Sequence, residues 1–322
     1  MAQKRVIIVG HNGQDGSLLL DDLKKRGDEI IGIGSSSCIF PIGLTNLSAI
    51  NILDPHDVYS IVEIFRPNEI YYLAAYHASS ESCKENLPLH EQFKYANQVH
   101  VEGLVNFMSS IVDKSLATRI FYASSSLVFS GENGEIQDEN TSLTPQEFYG
   151  ITKAQGMWLC KEFRRKYNLF VSVGILYNHE SHLRPPGFLS TKIIQTAYRI
   201  SQGSAESLEI GNLSAHVDWG YAKDYVLAFQ KILLLDYPTD FIVSSGKSAL
   251  VNEFVKIVFN YFGLDPLVHV IENPNILTRK PASKIGNSFK LRSATGWKPS
   301  MNFFDFVIQL INDHLEVIKQ NA

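Results

Sequence analysis

No apolar run in the sequence approaches the roughly 20 residues that a membrane-spanning helix needs. Nor is there a positive excess that would draw the chain to nucleic acid or an anionic membrane: 29 Lys and Arg stand against 33 Asp and Glu, for a net charge of -4. Cysteine is scarce. Cys38, Cys83 and Cys160 lie far apart with no metal-ligand spacing, so reduced thiols in a cytoplasmic protein are expected. Asn178-His179-Glu180 has no second His or Cys set to complete a metal site. Internal repeats, low-complexity tracts and Pro/Gly/Ser linkers are also missing. Met1 to Arg5 lead straight into an apolar strand, so no signal peptide is expected.

What is present is alternation. Short apolar strands are predicted at 5–10, 29–34, 48–52, 69–74, 118–124 and 169–175, with Phe241-Ile242-Val243 as one more. Helical segments fall between them at 16–26, 56–65, 88–112 and 147–167. This order predicts βαβ units and an α/β fold, a doubly wound parallel sheet of Rossmann type. The later half is less regular, with helices expected near 188–202, 220–235, 250–262 and from Phe303 to about Lys319. At 322 residues and 45% hydrophobic content the chain can bury one large core or two fused ones. The expected division is a dinucleotide-binding domain over 1–174 plus about 214–246. A smaller C-terminal α/β substrate domain is expected over about 175–213 and 247–322.

Gly10-His11-Asn12-Gly13-Gln14-Asp15-Gly16 follows the first strand and opens a helix. Strand, glycine turn and helix in that order lay a pyrophosphate on a helix N-terminus. Gly10 permits the turn, Gly13 lets the backbone approach phosphate, and Gly16 lets the helix pack on the strand. After the second strand an acidic residue would favour NAD and an arginine NADP; Ser35-Ser36-Ser37 is neither, so NAD and NADP both stay open. Further on, Tyr149 and Lys153 stand four apart on one helix face, and Ser124-Ser125-Ser126 ends a predicted strand. Reducing a carbonyl needs a proton donor at oxygen while hydride reaches carbon. A lysine ammonium beside the tyrosine favours its phenolate, and a serine hydroxyl can hold the substrate oxygen. Ser125, Tyr149 and Lys153 are therefore the candidate catalytic residues.

These residues resemble the extended short-chain dehydrogenase/reductase superfamily. Within it, Gly10 to Ser17, Ile70-Tyr71-Tyr72-Leu73-Ala74-Ala75 and Gly174-Ile175-Leu176-Tyr177-Asn178-His179-Glu180-Ser181 resemble motifs of GDP-mannose 4,6-dehydratases. So do Asp218-Trp219-Gly220-Tyr221-Ala222-Lys223-Asp224 and Gly296-Trp297-Lys298-Pro299. The resemblance implies cofactor contacts from Gly10, Asn12, Gly13, Gln14, Asp15, Gly16, Ser35, Ser36, Asp54, Leu73, Ala74, Ala75, Tyr149, Lys153, Tyr177 and His179. It implies substrate contacts from Ser82, Ser126, Asn178, Arg184, Lys192 and Lys280. It also implies a nucleotide-sugar substrate, GDP-linked before others, and a homodimer formed through the helices near 90–112 and 147–167.

The departures carry the functional expectation. The family's catalytic glutamate position is Leu127, and an alkyl side chain can neither take nor give a proton. Glu81, Glu132 and Glu147 are the carboxylates that could substitute. An arginine expected before Asp218 is Val217, and a glutamate expected at the nucleotide is Ser283. An intact Ser/Tyr/Lys set without the glutamate implies an NAD(P)-dependent reductase of a 4-keto-6-deoxy nucleotide sugar. A 4,6-dehydratase, or a 4-epimerase or 4-dehydrogenase with tightly held NAD, is the alternative. A non-catalytic cofactor-binding protein comes after these.

Overall fold

The computed structural model describes residues 3–44, 49–76, 87–131, 136–277 and 283–320. Seven strands form its main sheet: Arg5–Val9 (β1), Glu29–Ile33 (β2), Cys38–Ile39 (β3), Glu69–Tyr72 (β4), Arg119–Ser125 (β5), Val171–Leu176 (β6) and Asp240–Val243 (β7). Their order is β7-β6-β5-β4-β1-β2-β3. Every neighbouring pair is parallel except β2 and β3. The near-continuous apolar runs make sense because both faces are covered. Ile7 and Val9 face one core, with residues of the helices Pro55–Phe65 (α2), Gly103–Asp113 (α4) and Phe148–Tyr167 (α5). Val6 and Ile8 face the other, with residues of Gln14–Arg26 (α1) and Ala222–Leu233 (α7).

The strand order reverses between β1 and β4. Connections leave the two strand ends toward opposite faces there, which opens a crevice at their carboxyl ends. That crevice is where the glycine turn lies.

Two predicted elements differ. Residues 49–52 are not a strand. The Asn51 side chain accepts from the Leu53 amide at 3.0 Å, and the Asp54 amide bonds the Asn51 carbonyl at 3.0 Å. A side-chain-supported turn therefore takes the place of a ladder. The helix predicted over 88–112 is broken into Leu89–Asn97 (α3) and α4 by a wider π turn, Gln98–Glu102.

A third core lies apart from the sheet. It unites Leu189–Ser201 (α6), Val251–Tyr261 (α8) and the closing helix Phe303–Gln320 with Trp219 and Tyr221. A small sheet joins it to the rest: strand His216–Tyr221 pairs in parallel with Asn178–Glu180 and antiparallel with Ser248–Leu250. Because Asn178–Glu180 follows β6 directly, the main sheet's edge of the crevice continues into this second layer. No helix among the described residues is long and apolar enough to cross a membrane.

Candidate active site

A cavity of about 1070 Å³ occupies the crevice and runs from the glycine turn to the small sheet. At its floor Gly10 has φ +93°, and a Cβ there would come 2.8 Å from the Ala74 amide nitrogen. A Cβ on Gly16 would fall 2.1 Å from the Gly10 carbonyl oxygen. The turn therefore folds only with glycine at these positions, and it brings the loop after β4 down onto the start of α1. Gly13 caps α1 without any side-chain hydrogen bond, so the helix's first amides face the cavity with their partial positive charge.

Gln14 and Asp15 line the cavity, and their side chains also reach across it. Gln14 donates to the His179 carbonyl at 3.0 Å and accepts from the Ser181 hydroxyl at 2.9 Å. His179 donates from Nε2 to the Asp15 carboxylate at 3.0 Å. Burial alone would raise the Asp15 pKa, but the charges of His179 and Arg184 outweigh it and hold the carboxyl below its usual value. These two residues tie α1 to the segment after β6.

Asn12, Leu73, Ala74, Ala75 and Tyr177 line the cavity, as do Ser35 and Ser36 after β2. Among the described residues the wall around those serines is uncharged, with Gly34, Ser37, Cys38, Ile50, Asn51 and Leu53. Asp54 is not among the lining residues, and its carboxylate accepts from the His56 amide at 2.9 Å to cap α2. The Asp-Pro pair opens a helix, and its neighbour Leu53 meets the cavity instead.

Ser125, Tyr149 and Lys153 all line the cavity. The Lys153 Nζ donates to the Ala123 carbonyl at 2.8 Å and lies 5.8 Å from the Tyr149 ring centre. Burial pulls the ammonium down to about 7. Ser125 closes β5 and accepts from the Leu127 amide at 3.2 Å, which fixes its hydroxyl at the strand end. Leu127 lines the same cavity, and so does Glu147, two residues before Tyr149. Glu81 and Glu132 lie outside the described residues.

Ser126, Asn178 and Arg184 also line the cavity. The Arg184 Nε donates to Glu180 at 3.2 Å, and its guanidinium lies 4.3 Å over the Phe188 ring. α6 meets the cavity with Phe188 and Leu189 at its start, and Lys192, a turn further on, is not among the lining residues. Ser82 and Lys280 lie outside the described residues. The sequence reading missed His216 and Lys284, which line this part of the cavity. Lys284 arrives through a bridge pairing it with Val217, a long-range register with no local sequence signal. The His100 ring meets the Tyr149 ring at a near right angle, 5.1 Å between centres.

The family model for GDP-mannose 4,6 dehydratase matches residues 7–310. The chain belongs to the GDP-mannose 4,6-dehydratase family. A GDP-mannose 4,6 dehydratase of Cricetulus griseus is 31% identical over 355 residues, covering 99% of this chain and 93% of that one. The family's fold extends to solved structures of lower identity. UDP-glucose 4-epimerase of Thermotoga maritima, solved with UDP-glucose, superposes with a TM-score of 0.82 at 20% identity, covering 98% and 99% of the two chains. RMD of Pseudomonas aeruginosa, complexed with NADPH, gives 0.80 at 18% identity, covering 99% and 100%.

Proposed function

We propose that this family member is an NAD(P)-dependent reductase of a 4-keto-6-deoxy sugar carried on a nucleoside diphosphate, GDP before other bases. The observation that carries the reading is the composition of the cavity's lining. Ser125, Tyr149 and Lys153 share a cavity with the glycine cradle, and Leu127 fills the place of the family's expected glutamate.

The cradle suits a dinucleotide: the tight turn, which Cβ atoms at Gly10 and Gly16 would clash with through backbone, sets a helix N-terminus without a side-chain cap beside the space a pyrophosphate would take. Gly10, Asn12, Gly13 and Gly16 would hold it at the turn, with Ser35, Ser36 and Leu53 along the ribose side. The uncharged wall there neither repels a 2′-phosphate nor pairs with one, so NADP and NAD are both accepted. When bound, the nicotinamide supplies a hydride to the keto carbon. Tyr149 then gives its phenolic proton to O4 as that oxygen gains charge. The Lys153 ammonium beside Tyr149 favours the phenolate and so keeps the phenol acidic. Ser125 holds O4 in line from the strand end. Arg184 and Lys284 bring positive charge to the wall for a diphosphate, His216 stands beside them, and Arg184 can fork onto a phosphate.

A second reading is 4,6-dehydration, favoured by the family match and by the place of Glu147 on the cavity wall. There Glu147 would take the C5 proton and protonate the leaving C6 hydroxyl. Glu147→Gln separates the two: under the first reading it leaves keto reduction intact, and under the second it abolishes product from a GDP-hexose.

The protein would act as a homodimer. Leu89 and Phe93 of α3 and Ile151 and Trp158 of α5 are exposed apolar side chains, a surface that a second copy would cover. The division of labour would place cofactor on residues 1–174 with about 214–246, and sugar nucleotide on about 175–213 and 247–322. A cytoplasmic location accords with this chemistry, since soluble NAD(P) and nucleotide sugars meet there.

A further inference from the structure

We infer that His100 is a positioning residue, one imidazole that locks the cofactor-side loop 73–76 to the helix bearing Tyr149. The inference rests on the roles given above to the cavity and to Tyr149. His100 sits on the π turn between α3 and α4 and is fully buried. Its Nε2 receives the Tyr76 backbone N–H at 3.0 Å. An amide only donates, so Nε2 carries no proton and the neutral ring holds its proton on Nδ1. That nitrogen faces the Thr152 hydroxyl oxygen at 2.8 Å. Thr152 passes its own hydrogen to the Phe148 carbonyl at 2.9 Å or the Tyr149 carbonyl at 3.1 Å. The chain of bonds thus ends on the backbone of the Tyr149 turn. The imidazole edge also packs against the Tyr149 ring, 5.1 Å between centres at 86°.

The other end of the chain is the loop after β4. Leu73, Ala74, Ala75 and Tyr76 all line the cavity, and Ala74 is the residue on which Gly10 closes. A histidine buried only for packing would bond whatever backbone lay nearest. This one bonds two segments that face the same cavity from different elements, and its two nitrogens divide the work. Nε2 holds the loop against which the glycine turn rests. Nδ1 holds the helix start that aims the phenol near Lys153.

The division makes the two bonds separable. A glutamine at 100 reaches about as far as Nε2 and can still accept from Tyr76. An asparagine reaches about as far as Nδ1 and can still donate to Thr152. Both readouts are taken without a sugar substrate: NADPH and NADH dissociation constants by fluorescence, and titration of the Tyr149 phenol as the 295 nm difference from Tyr149→Phe. His100→Asn is expected to weaken NADPH binding about tenfold, as loss of one buried hydrogen bond does, with the phenol titrating as in the native protein. His100→Gln is expected to keep NADPH affinity within about twofold while the phenol titrates about one pH unit higher. The inference is overturned if both variants move both readouts together, as general loosening would, or if neither variant moves either. Failure of the native protein to bind NADPH or NADH would remove the cofactor reading itself, and this inference with it.

Discussion

Lys153 and Tyr149 show how burial sets chemistry one side chain at a time. A free lysine keeps its proton to about 10.5, whereas buried Lys153 is brought down to about 7. The folded protein therefore binds that proton less tightly than the unfolded chain does. Below the unfolded pKa the group works against the fold, and its penalty grows as pH falls toward 7. Lys153→Met is thus expected to raise stability at pH 7, without cofactor, by on the order of 3 kcal/mol, while abolishing turnover. Thermal melts from pH 7 to 10 check this: the gap between variant and native protein should close as pH rises. Tyr149→Phe should bind NADPH normally yet lose roughly 10² to 10⁴ in rate, read by stopped-flow absorbance at 340 nm. These two residues and Ser125 were legible in sequence, because four-residue spacing puts Tyr and Lys on one helix face and a serine run marks a strand end. Asp54 and Lys192 are not among the residues that line the cavity. An Asp before Pro55 serves as the N-cap of α2, and Lys192 lies a turn beyond the start of α6 that meets the cavity. His100 reads in sequence as an ordinary pocket or helix residue, because its contacts depend on the π turn that sets it between the loop after β4 and α5.

Among the elements, the N-terminus of α1 does two jobs. Its backbone faces the cavity, while Gln14 and Asp15 bind the segment after β6. Asp15→Asn keeps the shape and removes the charge that His179 faces, so it is expected to cost about 2 kcal/mol. Urea unfolding near pH 7 measures it. The sign follows from the lowered carboxyl pKa: the contribution is present above the unfolded pKa of about 3.8 and lost as pH falls through the lower folded value. The difference between Asn variant and native protein should therefore vanish in strong acid, and a constant difference at all pH would contradict the account. The parallel strands and most helices could be read from apolar runs because both sheet faces are buried. The stretch 49–52 could not, since Asn51 spends its polar groups on a turn. The small sheet escaped for a related reason: its pairings join residues far apart in sequence, as with Val217 and Lys284, and no short window contains them.

At the scale of the whole molecule, three cores meet around one cavity, and the exposed apolar residues of α3 and α5 lie outside all of them. Trp158 is 56% exposed, which is much for so large a ring. Trp158→Glu is expected to convert a dimer to monomer in light scattering at micromolar concentration, and a native protein already monomeric there would remove the dimer from the account. The central claim concerns the reaction. The most direct measurement mixes purified protein and NADPH with GDP-4-keto-6-deoxy-mannose, and in parallel with GDP-mannose, following absorbance at 340 nm and the sugar products by mass spectrometry. The account predicts stoichiometric NADPH oxidation and a product two mass units heavier from the keto sugar, with GDP-mannose unchanged. Loss of water from GDP-mannose, with no net NADPH consumed, would contradict it.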